Sequence, residues 1–186
     1  MSYEQIIEFT LKYEGVLSDH PADRGGLTKY GISLKAAQEA QNFVLDVNDD
    51  GVIDSRDIRE LDRETSIQFY KEEYWDKPFE LDDFSSTPKK QFVIFDCNVN
   101  HGAGNTTRLI QSALKALGND LVIDGRYGRI TKGLLESADE DSFFDAMLDK
   151  RASFYNAIVR NRPNQKVFLR GWMNRINQMK QDVKLL

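Results

Sequence analysis

Two short stretches, Tyr13-Glu14-Gly15 and Asp23-Arg24-Gly25-Gly26-Leu27-Thr28-Lys29-Tyr30-Gly31-Ile32, decide the reading of this chain. Ahead of the first, Tyr3, Ile7, Thr10 and Glu14 recur at i, i+4, i+7 and i+11, one mostly apolar face of a helix. Ser2 with Gln5 forms a capping box at its start, and Gly15 suits its C-terminal stop. The glycine-rich second stretch predicts a small β-hairpin or a pair of extended strands. Strand alternation would place Thr28 and Tyr30 on one face and Leu27 and Lys29 on the other.

The chemistry follows from where Glu14 falls. A carboxyl on the core-facing side is partly desolvated, and the negative end of the helix dipole also disfavours its ionised form. Both effects raise its pKa, as a general acid working near neutral pH requires. Asp23, eight residues beyond Gly15 in the spacing Glu-x8-Asp, and Thr28 on the hairpin would supply a water-positioning or charge-stabilising partner. An acid from a helix facing a polar strand is a workable glycosidase cleft. Periodicity alone reads Glu14 equally well as a polar residue at a helix end.

Composition narrows the class. The 186 residues, 40% hydrophobic, suffice for one core or two small joined lobes. No stretch approaches the roughly 18 apolar residues of a membrane span, and the N-terminus lacks the features of a signal peptide, so a soluble chain made in a reducing cytoplasm is expected. Cys97, the single cysteine, lies in the apolar run Phe92 to Phe95 and reads as a core thiol. The net charge of −5 is uneven: residues 45 to 83 hold fourteen acids and five bases, a local −9 that leaves +4 elsewhere. In the last 36 residues Arg151, Arg160, Arg162, Lys166, Arg170, Arg175, Lys180 and Lys184 face only Asp182. Such a segment can approach an anionic envelope or form solvated helix faces. Acidic overall charge and the absence of a binding motif exclude nucleic acid as a partner.

The remaining pattern predicts mostly helix. One helix starts near Leu34 with Ser33 as its cap, and another carries Ile67, Tyr70 and Tyr74 on one face. Residues 90 to 117 give two helices broken at His101-Gly102-Ala103-Gly104. Asp124 to Gly128 form a turn, and two long helices finish the chain, from about Ser142 to Asn161 and from about Gln165, with Pro163 between them. Asn100 and His101 could hydrogen-bond sugar groups or simply turn the chain. Tyr74 and Trp75 could stack on a sugar ring but fit a core better. Asp96 could support an acid or cap a helix, and Trp172 reads as packing.

The Glu14-Gly15 pair and the Asp23 to Ile32 segment resemble the N-terminal signature of the glycoside hydrolase family 108 N-acetylmuramidases, which include many phage endolysins. The resemblance continues through Tyr74-Trp75, Phe95 to Gly102, the Asp124-Gly125 turn and Phe168 to Arg175. It omits only residues about 43 to 62. Val16 and Leu17 stand where the family usually has a second glycine and an aromatic, and Asp23-Arg24 replaces its Asp-Pro. The resemblance implies a mainly α, lysozyme-like helical fold with a small β-hairpin beside the cleft. It also implies cleavage of the bond between N-acetylmuramic acid and N-acetylglucosamine, with Glu14 in the essential position. Residues 1–91 would form the catalytic region, and 92–186 a helical peptidoglycan-binding-like region packed into the same globule. The chain would be a monomer, made in a host cytoplasm and acting on the cell wall after release. Tyr30, Tyr74, Asn100 and His101 are the candidate substrate contacts. A lytic transglycosylase and a non-catalytic calcium-dependent wall-binding module are the alternatives.

Asp46 to Asp57 carries a separate signal. Asp46, Asn48 and Asp50 occupy positions 1, 3 and 5 of a calcium loop, and Gly51 stands at the sharp turn. The Val52 carbonyl sits at position 7, with Asp54 and Asp57 at 9 and 12. Aspartate at position 12 resembles dockerin loops more than sensor EF-hands. A single loop where dockerins have two points to structural Ca²⁺, with Leu45 and Ile53 anchoring an insertion.

Overall fold

The computed structural model describes residues 3–13, 17–18 and 27–185, and its chain divides into two compact units that part between Asp82 and Asp83.

The first unit opens with α1, Tyr3–Tyr13. Its apolar positions do what the periodicity predicts: Ile6, Ile7 and Phe9 are buried. Tyr3 sets its ring edge-on to Trp75 at 4.9 Å and donates its hydroxyl to the Ile67 carbonyl at 2.5 Å. Strands β1 (Leu17–Ser18), β2 (Thr28–Lys29) and β3 (Ile32–Ser33) form an antiparallel sheet in that order. Thr28 pairs with Ser18 on one side and Ser33 on the other. Between β2 and β3, Tyr30 and Gly31 both have positive φ, +51° and +77°. A two-residue loop of that kind matches the right-handed twist of the strands it joins.

Ser33 then caps α2 (Leu34–Glu39), accepting from the Ala36 N–H at 3.1 Å. The acidic loop leads to α3 (Ser55–Glu60), and Asp62 caps α4 (Arg63–Tyr70) through the Thr65 N–H at 2.7 Å. At Lys71 the helix widens into a π-helix, Lys71–Asp76. Trp75 is fully buried there, with its indole N–H donating to Asp82 at 2.8 Å. A tryptophan on that side of a widened turn can fill the core only because its one donor is satisfied.

The second unit is built on α5, Pro88–Ala116, whose proline stands where the first turn tolerates it. Every residue from Lys90 to Asn98 is buried, so this half of the helix is covered on all faces. Lys90 is accommodated by donating to the Leu135 and Glu136 carbonyls at 2.9 and 3.3 Å, near the end of α6 (Arg129–Ser137). A cation suits the negative end of a helix. At Gly102, φ +72° breaks the helical run, which places the expected interruption of α5 at one residue. Helix α7 (Glu140–Asn161) packs along α5, and α8 (Lys166–Asp182) follows a short turn at Pro163. Phe143, Met147, Leu148, Ile176 and Met179 complete the core with Leu109, Ile110 and Leu114.

Candidate active site

Glu14 and Asp23 lie outside the described residues, whereas Thr28, Tyr30, Tyr74, Asn100 and His101 fall within them. Thr28 sits in β2, inside the expected hairpin, and is half-buried. Tyr30 departs from that reading. The strand ends at Lys29, and Tyr30 is a turn residue whose carbonyl accepts from the Tyr70 hydroxyl at 3.1 Å. Alternation fails because a two-residue turn reverses the chain before a third strand position is reached.

Tyr74 lies in the π-helix, half-buried, with its ring 5.7 Å from Tyr70 and 6.1 Å from Phe69. Burial pushes its hydroxyl pKa up, followed by the charge of Glu73. Tyr70 and Tyr74 keep the common face read from their spacing, although the helix between them is not α throughout. Trp75 is core and presents no stacking surface.

In the second unit Asn100 and His101 stand just before the kink of α5. Asn100 is exposed and donates back to the Asp96 carbonyl at 2.7 Å. His101 lies against Phe154 and Tyr155, with ring centroids at 5.2 and 5.3 Å. Burial, then the nearby Arg151 charge, lowers its pKa to about 4, so the ring is neutral at neutral pH.

Sequence reasoning missed what lies beneath. Asp96 is fully buried inside α5, where it caps no helix, and takes Arg151 at 2.5 Å and Arg175 at 2.6 Å. Burial raises its pKa, but Arg151 and then Arg175 outweigh that and hold it below the ordinary carboxylate range. Arg151 also donates to the Tyr155 hydroxyl at 2.9 Å, which lies 3.2 Å from His101 Nε2. Two of the eight bases of the C-terminal segment are thus interior counter-ions for one aspartate. The only sequence signal was an aspartate inside an apolar run, which needs a cation from elsewhere.

Residues 7–102 match the family model described as Glycosyl hydrolase 108, just over half of the chain. The chain belongs to glycosyl hydrolase family 108. Residues 105–177 match a second model, described as a predicted peptidoglycan domain. The family 108 chain is therefore a peptidoglycan hydrolase of the N-acetylmuramidase type, with peptidoglycan as its partner. The structure of Brucella abortus SagA is similar, with 20% identity, 97% of this chain and 92% of that one covered, and a TM-score of 0.73. That likeness carries the fold, which is mainly α and lysozyme-like. No curated protein matches the sequence. The two family models meet near the kink at Gly102, whereas the compact units part at Asp82.

Within the family 108 region, the acidic loop folds as successive side-chain turns. Asp46 accepts from the Asp50 and Gly51 N–H groups at 3.2 and 2.8 Å, and Gly51 has φ +81°. Asp57, fully buried, accepts from Val47 at 2.8 Å and from Asp54 at 2.8 Å, closing a capping box with Asp54 at the start of α3. Arg56 pairs with Asp50 at 2.7 Å and Asp54 at 2.8 Å. Among the described residues no three acidic, histidine or cysteine side chains gather as a metal site. Leu45 anchors the loop as expected, but Ile58 rather than the half-exposed Ile53 fills the core on its far side.

Proposed function

We propose that Glu14 is the general acid of this muramidase and that the chain acts as a phage endolysin, made in a host cytoplasm and released onto the wall. In the reaction Glu14 protonates the bridging oxygen as the bond to muramic acid C1 breaks. Water adds its hydroxyl to that carbon and releases its other proton to solvent, from which the Glu14 carboxylate recovers the proton it gave to the departing sugar. Asp23 and Thr28 would orient the water or stabilise charge, and Tyr30, Tyr74, Asn100 and His101 would contact the glycan. The observation that carries the reading is the family 108 match over residues 7–102, which spans the Glu14 to Ile32 signature. Mass spectrometry of fragments from purified peptidoglycan tests it: reducing-end muramic acid is expected. The 1,6-anhydro form would instead assign a transglycosylase.

A structural Ca²⁺ at Asp46, Asn48, Asp50, the Val52 carbonyl, Asp54 and Asp57 is the second part of the proposal. The donors are the hard oxygens calcium prefers, and the glycine turn is in place. Bringing the ion in requires Arg56 to release Asp50 and Asp54, because one cation would replace another. Binding to the folded loop alone adds on the order of 2.7 kcal/mol at one hundred times Kd. Chelator should lower the melting temperature while activity at low temperature survives. A melting temperature indifferent to both chelator and added calcium would leave Arg56 as the loop's only counter-ion.

The exposed Arg160, Arg162, Lys166 and Lys180 are proposed to hold the chain, as a monomer, against anionic envelopes. Neutralising them should weaken attachment to intact envelopes more than turnover of soluble fragments. Added salt should mimic the effect, since exposed charges are screened over about 10 Å at about 0.1 M. Equal losses on both substrates would assign these residues to the fold.

A further inference from the structure

We propose that the second unit carries a preformed pocket for the stem peptide of peptidoglycan rather than for its sugars, a reading that rests on peptidoglycan being the partner. A cavity of about 890 Å³ lies between the second half of α5, the 120–128 segment and the first turn of α6. That is the size of a ligand site.

Its shape is fixed by a buried side chain. Gln111 donates to Asp124 at 2.8 Å and to the Arg126 carbonyl at 3.2 Å, and accepts from the Gly125 N–H at 2.9 Å. The wall is aliphatic and open to solvent: Val122 is 76% exposed, Ile130 70% and Ile123 43%. Three such residues on one cavity are an apolar surface without a cover among the described residues.

The charges select the occupant. Lys115, Arg126 and Arg129 line the cavity with Asp120 and Asp124. Asp124 is already engaged by Gln111 and by the Arg126 N–H, and those hydrogen bonds, the backbone one first, lower its pKa. Helix α6 begins at the cavity with Gly128 as its N-cap and no side chain capping it among the described residues. Arginines beside an open helix start suit a carboxylate. Among the described residues no aromatic side chain lines the cavity, so they offer no flat surface on which a sugar ring would stack. Small methyl groups and carboxylates in one short chain describe the stem peptide, whereas the glycan strand is neutral apart from its substituents.

Titration of the full chain with the tetrapeptide alanyl-isoglutamyl-diaminopimelyl-alanine, followed by backbone amide NMR, tests this. The amides of Gly128 to Thr131 are expected to shift. Affinity should fall at least tenfold in Arg126→Gln/Arg129→Gln and in Gly128→Asp. The second variant keeps the proposal testable if the first misfolds. A Cβ at Gly128 meets nothing within 4 Å, and an aspartate there caps α6 with its own carboxylate, so its melting temperature should equal or exceed wild type. No shift at these amides, undiminished binding by a folded variant, or stronger shifts with peptide-free glycan strands would overturn the proposal. Release of reducing ends from peptide-free strands by the wild type checks the hydrolase reading separately.

Discussion

Replacing Glu14 by glutamine is expected to abolish wall lysis while leaving the melting curve at its wild-type position. Glutamine keeps the size and polarity of the side chain but has no proton to give the departing oxygen. General acid catalysis is typically worth 10² to 10⁴ in rate, so turnover should fall on the order of a thousandfold. The fold should not notice, because α1 is held by Ile6, Ile7, Phe9 and Tyr3. Asp23→Asn should cost less if Asp23 only orients water or steadies charge. Losses of equal size in both variants would make Asp23 an obligate base. Near-normal turnover by a folded Glu14→Gln protein would overturn the assignment.

The largest loss of stability is expected from Asp96→Ala. The substitution strands Arg151, fully buried, without its anion, and breaking a buried pair from one side costs about 3–5 kcal/mol. Denaturant titration should show that loss in the second unit, and Asp96→Ala/Arg151→Met should recover part of it by removing the orphaned cation as well. A single-variant cost below about 1 kcal/mol would mean that water reaches the pair. The pH dependence has a definite sign. The folded-state pKa of Asp96 is lowered, so its contribution is present above the ordinary carboxylate range. It is lost as pH falls through the lower folded value.

The elements legible in the sequence were those fixed by local chemistry. Ser33 as a cap, Gly102 as a break and Pro163 as a divider are each decided within a few residues. Helix α3 was hidden because Asp54 and Asp57 read as metal ligands, although the same spacing makes a capping box. Helix α6 was missed because its N-cap is Gly128, a residue with no side chain to announce a helix start. Tyr30 was placed in a strand because alternation says nothing about where a strand stops. The family signature from Glu14 to Ile32 was recognisable because its acid, glycines and hydroxyl fall within nineteen residues. The Asp96 cluster was not, because its two arginines come from α7 and α8, 55 and 79 residues along the chain.

That separation bears on how the protein is made. A nascent chain presents Asp96 long before Arg151 and longer still before Arg175, so the most buried carboxylate of the second unit leaves the ribosome without either cation. Early collapse around the apolar run of α5 would have to bury an unpaired charge, which is strongly disfavoured. The first unit can fold as it emerges, as N-terminal domains generally do. The second must wait until α8 has been made, because that helix carries the second cation.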